Sequence, residues 1–353
     1  MEGEGKEKME ERIDGKVDGK MKRKLKVIMI DAFKPAYLEY APYLRSLVEG
    51  NEWGELTMTA GHWGCIEVLF EGKSSILGIF RKGDGKLKWL SWFEWLERFG
   101  KLGRLGVDVL FNIPRLFRGY EMFKTGKIPV RQLSKMDVSV GRHFAKNEWV
   151  DFFYFGELDD MGHEFGPDSL EIREAVREID ESLKGMEFDL IFSDHGMVEV
   201  NRVVEVPRSG DCFIDSDMAR YWGPDEELKV IREGLPLEYG SVLDWPDKRF
   251  GDLIFMANSG VLIYPNYFND RVVKGMHGYD GKDKEMRAFY LLDKKGERKD
   301  LNVYELHERL MGMKEGLRDG KKRNESDGGG KSGDELNDGS EKAPHPTSLG
   351  RSA

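Results

Sequence analysis

Five side chains of types that bind metal ions follow three separate apolar runs of the sequence. They are Asp31, Asp159, His163, Asp194 and His195. Carboxylates that gather in one place repel one another strongly unless cations neutralise them. Aspartate and histidine together suit zinc, with manganese or iron as the other candidates. If the three runs end at one place in the fold, their chemistry is that of a divalent metal site.

The apolar runs have the length and character of buried strands. Within residues 26–30, the four residues after Lys26 are continuously apolar, as are residues 152–155 and 190–192, which is typical of strands that are buried on both faces. Between the second and third runs, apolar residues recur at every third or fourth position and predict a helix over residues 169–186. Strand, helix and strand in this order indicate a parallel sheet covered by helices. Ligands of such sheets bind at the carboxyl ends of the strands, where these side chains lie.

Length and composition exclude several classes of protein. The chain has 353 residues, of which 39% are hydrophobic, so it can bury a sizeable core. Its net charge of -10 argues against a general nucleic-acid coat protein, and two cysteines cannot form a disulfide framework. No run of about 18 apolar residues predicts a membrane span, and no apolar segment near the start predicts a secretory signal. We therefore expect a globular protein of the cytoplasm.

The charge pattern also predicts where the folded domain lies. Residues 1–24 hold seven acidic and eight basic residues without apolar periodicity, which predicts a flexible charged leader. Residues 314–353 contain no aromatic residue, isoleucine, valine or methionine, which predicts a disordered polar tail. The folded domain is therefore expected over residues 25–313.

Four short motifs follow one another in the order of a known family. Residues 159–169 resemble the D-x-x-G-H-x-x-G-P-x-S signature of type I phosphodiesterases/nucleotide pyrophosphatases, which belong to the alkaline phosphatase superfamily. Residues 193–197 resemble the S-D-H-G-M motif of that family, and residues 276–279 resemble its late H-G-Y motif. Residues 27–35 resemble its opening strand, which more usually continues D-G-x-x-P. The resemblance covers about residues 26–292.

The resemblance implies a fold and two metal sites. The implied fold is an alkaline-phosphatase-like α/β fold, with a mostly parallel central sheet flanked by helices on both faces. The implied ligands are Asp31, Asp194 and His195 for one divalent ion, and Asp159, His163 and His277 for the other. The expected ions are zinc, with manganese as the alternative. Two cations about 4 Å apart can clamp the attacking and leaving oxygens of an in-line displacement at phosphorus.

The nucleophile position departs from the family pattern. The family has Thr or Ser at a helix N-terminus, ten residues before a glycine, but ten residues before Gly72 stands His62. His62 could be the nucleophile through a phosphohistidine, or an additional metal ligand with hydroxide attacking instead. The register could instead be displaced, with Thr59 or Cys65 in the role, or hydrolytic activity could be lost. We take His62 as the candidate catalytic residue.

Residues 81–135 form a basic, aromatic insert. The segment has thirteen Lys and Arg against five Asp and Glu, and nine Trp, Phe and Tyr. One interpretation is an amphipathic helix that packs on the core and presents a basic outer face. The other is a substrate platform or a surface for peripheral contact with an anionic membrane.

A second segment, residues 211–222, resembles a D-S-T-x-A-R-x-W stretch of prokaryotic members of this branch. Asp215 and Arg220 within it could pair with each other as part of the structure. Alternatively, Arg220 could bind a substrate anion in the bidentate geometry that arginine favours.

The sequence as a whole predicts a metal-dependent hydrolase of phosphate esters that acts by two-metal in-line phosphoryl transfer. The expected substrate is a phosphate-ester small molecule or a lipid-linked phosphate. The alternative is a catalytically impaired, metal-binding relative that serves as a binding or scaffold protein, which the missing Ser or Thr favours. A sulfuric-ester or phosphonate hydrolase is a third reading, which is disfavoured because Cys65 lacks the C-x-P-x-R pattern.

Overall fold

Strands and short helices alternate along the chain in this computed structural model. It describes residues 23–61, 64–72, 76–117, 122, 124–138 and 149–326, without the side chains of residues 64, 65 and 318–326. The strands are β1 (Leu25–Ile30), β2 (Asn51–Thr57), β3 (Phe80–Lys82), β4 (Met136–Val138), β5 (Val150–Phe155), β6 (Leu190–Phe192), β7 (Val198–Glu199), β8 (Arg202–Val204), β9 (Asp211–Ile214), β10 (Met218–Trp222), β11 (Gly240–Leu243), β12 (Leu253–Ala257), β13 (Val261–Ile263), β14 (Gly275–Met276), β15 (Ala288–Lys295) and β16 (Leu301–Asn302). The α-helices are α1 (Pro42–Val48), α2 (Gly64–Glu71), α3 (Gly100–Phe117), α4 (Val130–Leu133), α5 (Glu157–Phe165), α6 (Leu170–Ser182), α7 (Asp225–Glu233) and α8 (Val303–Ser326).

The central sheet is mostly parallel. In the described part of the chain its strand order is β16-β2-β15-β6-β1-β5, and β15 alone runs against the other strands. Strand β1 lies between β5 and β6 and is parallel to both, so that Met29 pairs with Tyr154 on one side and Phe192 on the other. The carboxyl ends of these three strands therefore meet at one edge of the sheet.

Helices cover both faces of this sheet, which explains the continuous apolar run in β1. Val27 and Met29 point into a core that includes residues of α2 and α8. Ile28 and Ile30 point to the opposite face, where residues of α1, α5 and α6 cover them. Successive side chains of a strand alternate between faces, so both faces of β1 require apolar residues.

Strand β5 corrects one expectation. Its apolar run predicts burial on both faces, but Phe153 and Tyr154 are 42% and 58% exposed. The prediction is wrong because β5 is the last strand at its side of the sheet. An apolar run does not distinguish a central strand from an edge strand.

Helix α8 corrects the expected boundary of the domain. It continues to Ser326, so a disordered tail that starts at residue 314 is too early. The reason is a run of apolar residues at helical spacing that packs against the core. These residues are Leu306, Leu310, Met313 and Leu317. Of the predicted leader and tail, residues 1–22 and 327–353 lie outside the described residues.

The remaining strands build a second layer beside the carboxyl edge of the sheet. Strands β11, β12, β10 and β9 form an antiparallel sheet in that order. Two short pairings join distant parts of the chain. Strand β13 pairs with β8, and β14 pairs with β7.

The basic insert is partly as expected. Val107 and Phe111 of α3 are buried in the core, and the Phe111 ring lies 6.1 Å from that of Phe80. A helix packed on the core is therefore present. Its outer face is apolar rather than basic, because exposed residues such as Leu105 and Val109 occupy it.

The N-terminus of helix α1 is capped by a side chain of helix α6. Helix α6 begins where the sequence predicts a helix, although it ends at Ser182. Helix α1 starts from Ala41, which has no side chain able to cap it. Instead the buried carboxylate of Asp180 in α6 accepts hydrogen bonds from the backbone N–H groups of Tyr43 (2.9 Å) and Leu44 (2.8 Å).

Replacing Asp180 should destabilise the domain without touching the metal-binding side chains. In Asp180→Asn, one of the two acceptors becomes a donor and the negative charge at the α1 N-terminus is lost. We expect the free energy of unfolding to fall by about 1–3 kcal/mol in chemical denaturation. The exposed Glu178→Gln on the same helix is the control, with a change below about 0.5 kcal/mol. Equal stability of the two variants would contradict the capping role.

Candidate metal centre

Three strand ends deliver the predicted side chains to one place. Asp31 directly follows β1, and Asp194 lies two residues beyond β6. Helix α5 follows β5 after one residue and carries Asp159 and His163 one turn apart. Because β5, β1 and β6 are adjacent and parallel, these side chains meet at the carboxyl edge of the sheet.

The three residues of the first implied ligand set lie close to one another. Nε2 of His195 lies 3.4 Å from Oδ1 of Asp31 and 3.4 Å from Oδ2 of Asp194. One donor atom from each of the three residues falls within 4.8 Å of the others. This spacing suits a single small cation between them.

The residues of the second implied set, Asp159, His163 and His277, lie next to the first set. Nε2 of His277 is 3.2 Å from Oδ1 of Asp159, and Nε2 of His163 is 3.4 Å from Oδ2 of the same carboxylate. Asp159 and His277 also form a group with His195 of the first set, in which one possible ligand atom of each residue lies within 4.8 Å of the others. The rings of His195 and His277 stack with centroids 3.7 Å apart, and the His163 ring is 5.1 Å from His277. All six residues therefore come together, and their division between two ions stays a prediction.

Two of the histidines are oriented for metal binding by backbone carbonyls. Nδ1 of His163 lies 2.8 Å from the carbonyl oxygen of Gly275, and Nδ1 of His195 lies 3.0 Å from that of Gly196. A carbonyl oxygen only accepts hydrogen bonds, so each Nδ1 carries the proton. Nε2 is then the ring nitrogen that faces the carboxylates and is available to bind a cation, which is the usual arrangement of a metal-binding imidazole.

A contact between glycines brings α5 against β14. A Cβ atom at Gly275 would lie 2.3 Å from the carbonyl oxygen of Gly162. Only glycine permits this approach, which sets the distance between the helix that carries His163 and the strand that precedes His277. The antiparallel pairing of β14 with β7 completes the placement of His277, with Met276 opposite Val198.

The loop after β1 is tied to the loop after β6 by Ser193. The Ser193 hydroxyl donates to the carbonyl oxygen of Phe33 (2.6 Å) and accepts from the backbone N–H of Phe289 (2.8 Å). Ala32 stands where the family usually has glycine, and its φ of 57° lies in the left-handed region. Such a conformation costs an alanine about 1–2 kcal/mol. The fold thus holds Asp31 against a local backbone preference.

Tyr154 is a residue of this site that the sequence pattern missed. Its hydroxyl donates a hydrogen bond of 2.5 Å to Oδ2 of Asp31. Desolvation of the hydroxyl, followed by the charge of Asp31, raises the pKa of Tyr154 although much of the side chain is exposed, so the phenol stays protonated and remains a donor. The residue lies inside the apolar run of β5, where nothing in its neighbours distinguishes it from a packing residue.

The three carboxylates are electrostatically unequal. Burial and then Asp159 raise the pKa of Asp31, and burial and then Asp31 raise that of Asp194 well above its usual range. Burial would also raise the pKa of Asp159, but the imidazoles of His277 and His163 together hold it well below the ordinary value. The buried Oδ1 atoms of Asp31 and Asp159 accept no hydrogen bond from any described residue. A divalent cation fits this site, because it would satisfy these oxygens and remove the repulsion.

A cavity of about 310 Å³ opens beside the metal centre. Asp159, His163 and His277 contribute to its wall. The other lining residues are Gly78, Ile79, Asp215, Ser216, Phe268, Asn269 and Met276. The lining combines one aromatic ring with hydroxyl and amide groups, as ligand pockets commonly do.

Arg220 pairs with Asp215 and does not line the cavity. Its side chain is fully buried, with Nη2 2.9 Å from Oδ2 of Asp215 and with Nη1 donating to the carbonyl oxygen of Phe80. The guanidinium carbon also lies 4.6 Å from the centre of the Phe213 ring. Of the two interpretations of Arg220, this geometry favours structural pairing.

The candidates for the nucleophile are only partly described. His62 lies outside the described residues, as does the side chain of Cys65, whose backbone is the second residue of α2. Gly61, just before His62, donates its N–H to the carbonyl oxygen of Gly278, the residue that follows His277. The buried hydroxyl oxygen of Thr59 has no hydrogen-bond partner among the described residues. The role of His62 stays a prediction.

Comparison with known proteins shows which family this part of the chain resembles. Residues 140–222 match the family model of type I phosphodiesterase / nucleotide pyrophosphatase, a span that includes four of the six predicted ligands. Ectonucleotide pyrophosphatase/phosphodiesterase family member 7 of Homo sapiens is 27% identical over 217 residues, which are 47% of this chain and 46% of the relative. The same family member of Rattus norvegicus is 28% identical over 176 residues, 39% of each chain. The chain thus matches less than half the length of these curated relatives.

Solved structures of related proteins share the fold. Murine and human ectonucleotide pyrophosphatase / phosphodiesterase 5 each superpose with a TM-score of 0.56 at 17% identity, over 83% of this chain and 95% of theirs. An inactive variant of the murine protein in complex with AMP is equally similar. The expected alkaline-phosphatase-like α/β fold is confirmed.

Removing one carboxylate should stabilise the metal-free protein and weaken its response to metal. Folding raises the pKa of Asp194, so the metal-free fold loses stability as the pH rises from the ordinary carboxyl range towards the raised value. At neutral pH we expect metal-free Asp194→Asn to melt at least about 2 °C above the metal-free wild type. Zinc should raise the Tm of the wild type by more than that of the variant, which lacks one ligand of one of the two implied ions.

The exposed Asp293→Asn is the matched control and should behave as the wild type in both conditions. If Asp194→Asn melts below the wild type without metal and zinc stabilises both equally, Asp194 is neither a repelling charge nor a ligand. Thermal melting monitored by circular dichroism, before and after chelation, provides the measurement.

Proposed function

We propose that this chain, a member of the type I phosphodiesterase/nucleotide pyrophosphatase branch of the alkaline phosphatase superfamily, is a metal-dependent hydrolase of phosphate esters. The observation that carries the proposal is the convergence of three aspartates and three histidines at the carboxyl edge of the central sheet, beside an open cavity. Neither feature alone indicates this chemistry. Together they supply a site for cations and space for an ester.

Two divalent ions would occupy the centre. Asp31, Asp194 and His195 would hold one ion, and the second ion would be held by three further residues. Those residues are Asp159, His163 and His277. Zinc is the proposed ion and manganese the alternative, since a mixture of carboxylate and imidazole donors suits both. Bound ions would stabilise the attacking and leaving oxygens of an in-line displacement at phosphorus.

The protein's own residues would position the ester. The cavity brings the edge of the centre, at Asp159 and His277, close to the polar groups of Ser216 and Asn269. The Ser216 hydroxyl lies 2.5 Å from Oδ1 of Asn269, so these two groups are held together before a ligand arrives. Phe268 offers an apolar surface for the organic group of the ester. A cavity of this size suits a small phosphate ester or the head group of a lipid-linked phosphate.

His62 is the proposed catalytic residue, either as nucleophile or as an additional ligand. One support is its position in the sequence, ten residues before Gly72. The other is its neighbour Gly61, whose backbone N–H donates a hydrogen bond to the carbonyl oxygen of the residue after His277. Thr59 and Cys65 are the other candidates. A metal-binding scaffold without activity is the alternative function, and the family match does not favour it.

Hydrolysis of chromogenic esters tests the proposal. With zinc or manganese present, we expect turnover of bis-p-nitrophenyl phosphate or p-nitrophenyl phosphate. Asp194→Asn should lower kcat at least about 100-fold, because it removes a ligand of an ion that stabilises the transition state. Asp293→Asn, an exposed residue at the far end of β15, should leave kcat unchanged.

The same assay separates the candidates for the nucleophile. His62→Ala should reduce turnover as strongly as Asp194→Asn, whereas Thr59→Ala and Cys65→Ala should retain it. Retention of activity in His62→Ala would transfer the role to whichever of the other two variants is inactive. Absence of turnover for either ester with either metal would contradict the hydrolase and favour the scaffold.

A further inference from the structure

Helix α3 is apolar on two opposite faces, and the rest of the described chain covers only one of them. The inner face, with Gly103, Val107 and Phe111, is buried. The outer face repeats at helical spacing over the whole helix, and its side chains are between 44% and 78% exposed. Its residues are Leu102, Leu105, Val109, Ile113 and Leu116. A second apolar face, opposite the one that packs on the core, is expected to be covered by a partner.

Aromatic side chains extend this face beyond both ends of the outer row. The 3₁₀ helix Lys88–Phe99, which runs directly into α3, exposes Trp92, Trp95 and Phe99. Phe117, the last residue of α3, is 87% exposed. We call these four aromatic residues and the five aliphatic residues above the α3 outer face. So many large exposed apolar side chains in one segment of the chain mark a site of interaction.

The charge around this face selects the kind of partner. Residues 81–135 carry a net charge of +8 within a chain of -10. The cations near the face are solvent-exposed, among them Lys86, Lys88, Arg98 and Lys101. An anionic lipid surface offers negative head groups above an apolar interior, which complements both features at once. A second copy of this chain would instead bring the same positive charge to the contact.

Two of the acidic residues in the insert are hydrogen-bonded within the protein, although Glu97 is exposed and Asp108 half-buried. The Glu97 carboxylate accepts from the backbone N–H of Val130 (2.6 Å). Oδ1 of Asp108 accepts from both the backbone N–H and the hydroxyl of Thr125 (2.7 and 2.6 Å). These contacts join α3 and the 3₁₀ helix before it to residues 125–130.

We propose that the α3 outer face docks peripherally on an anionic lipid bilayer. The helix would lie in the plane of the interface, with its aliphatic row among the acyl chains and the tryptophans at head-group depth. This mode needs no membrane span, and none of the described helices is both long and apolar enough to form one. The proposal does not depend on catalysis.

The helix is rigidly mounted, so changes to its outer face should not disturb the fold. Arg104 donates from Nη1 to the carbonyl oxygen of Ile128 (2.7 Å), and Phe111 packs against Phe80 in the core. The insert also reaches the cavity, because the Lys127 side chain donates to the carbonyl oxygen of Asn269, which lines it. Docking would therefore bring the membrane to the part of the protein that carries the cavity wall.

Sedimentation with vesicles tests the docking. The full chain is mixed with vesicles of phosphatidylcholine alone or with phosphatidylserine, at low and at high salt. We expect binding to the serine-containing vesicles that weakens with salt. The variant Leu105→Gln/Val109→Gln/Ile113→Gln should lower the affinity at least about tenfold. The control Leu170→Gln/Val230→Gln changes equally exposed apolar residues elsewhere and should bind as the wild type.

Three further readouts make the result decisive. The triple variant should keep the wild-type Tm. It should also hydrolyse bis-p-nitrophenyl phosphate at the wild-type rate, and a wild type without activity does not affect this comparison. Absence of sedimentation at low salt, or salt-independent binding to pure phosphatidylcholine, would overturn the proposal. So would light scattering that shows a wild-type dimer and a monomeric triple variant without vesicle binding, since the occupant would then be a second copy.

Discussion

The mutual repulsion of three clustered aspartates is the constraint on which the rest of the structure depends. Asp31, Asp159 and Asp194 lie at adjacent strand ends, where burial and like charge raise the pKa of two of them. Imidazoles relieve the repulsion only in part, and only Asp159 has its pKa held low by them. A site with this arrangement is unfavourable for the isolated protein and favourable for a protein that binds cations. The unfavourable electrostatics is thus the feature that points to function.

The surrounding fold holds the aspartates together against this repulsion. Ser193 joins the loops after β1 and β6, and Tyr154 donates to Asp31 from the edge strand. The close contact of Gly162 with Gly275 fixes the position of α5 against β14. Ala32 accepts a left-handed backbone so that Asp31 keeps its position. These contacts come from five separate segments of the chain, and together they make the centre rigid.

Local sequence pattern was sufficient for the parallel core of the fold and for five of the six side chains in the centre. An aspartate directly after a buried strand is placed by topology alone, as Asp31 is. His277 could be assigned only through the resemblance, because its position depends on the pairing of β14 with β7, which are far apart in sequence. The exposure of β5 and the continuation of α8 were missed because both depend on what packs nearby. Tyr154 was missed because a hydrogen bond to Asp31 leaves no trace in an apolar run.

The most direct test of a cation-dependent centre is a count of bound metal. Purified protein, stripped with chelator, is reloaded with zinc, freed of excess by dialysis and measured by elemental analysis against protein concentration. The account predicts two tightly held ions per chain. Protein that retains neither zinc nor manganese after dialysis would contradict it. The clustered aspartates would then have to be stabilised by the protein alone.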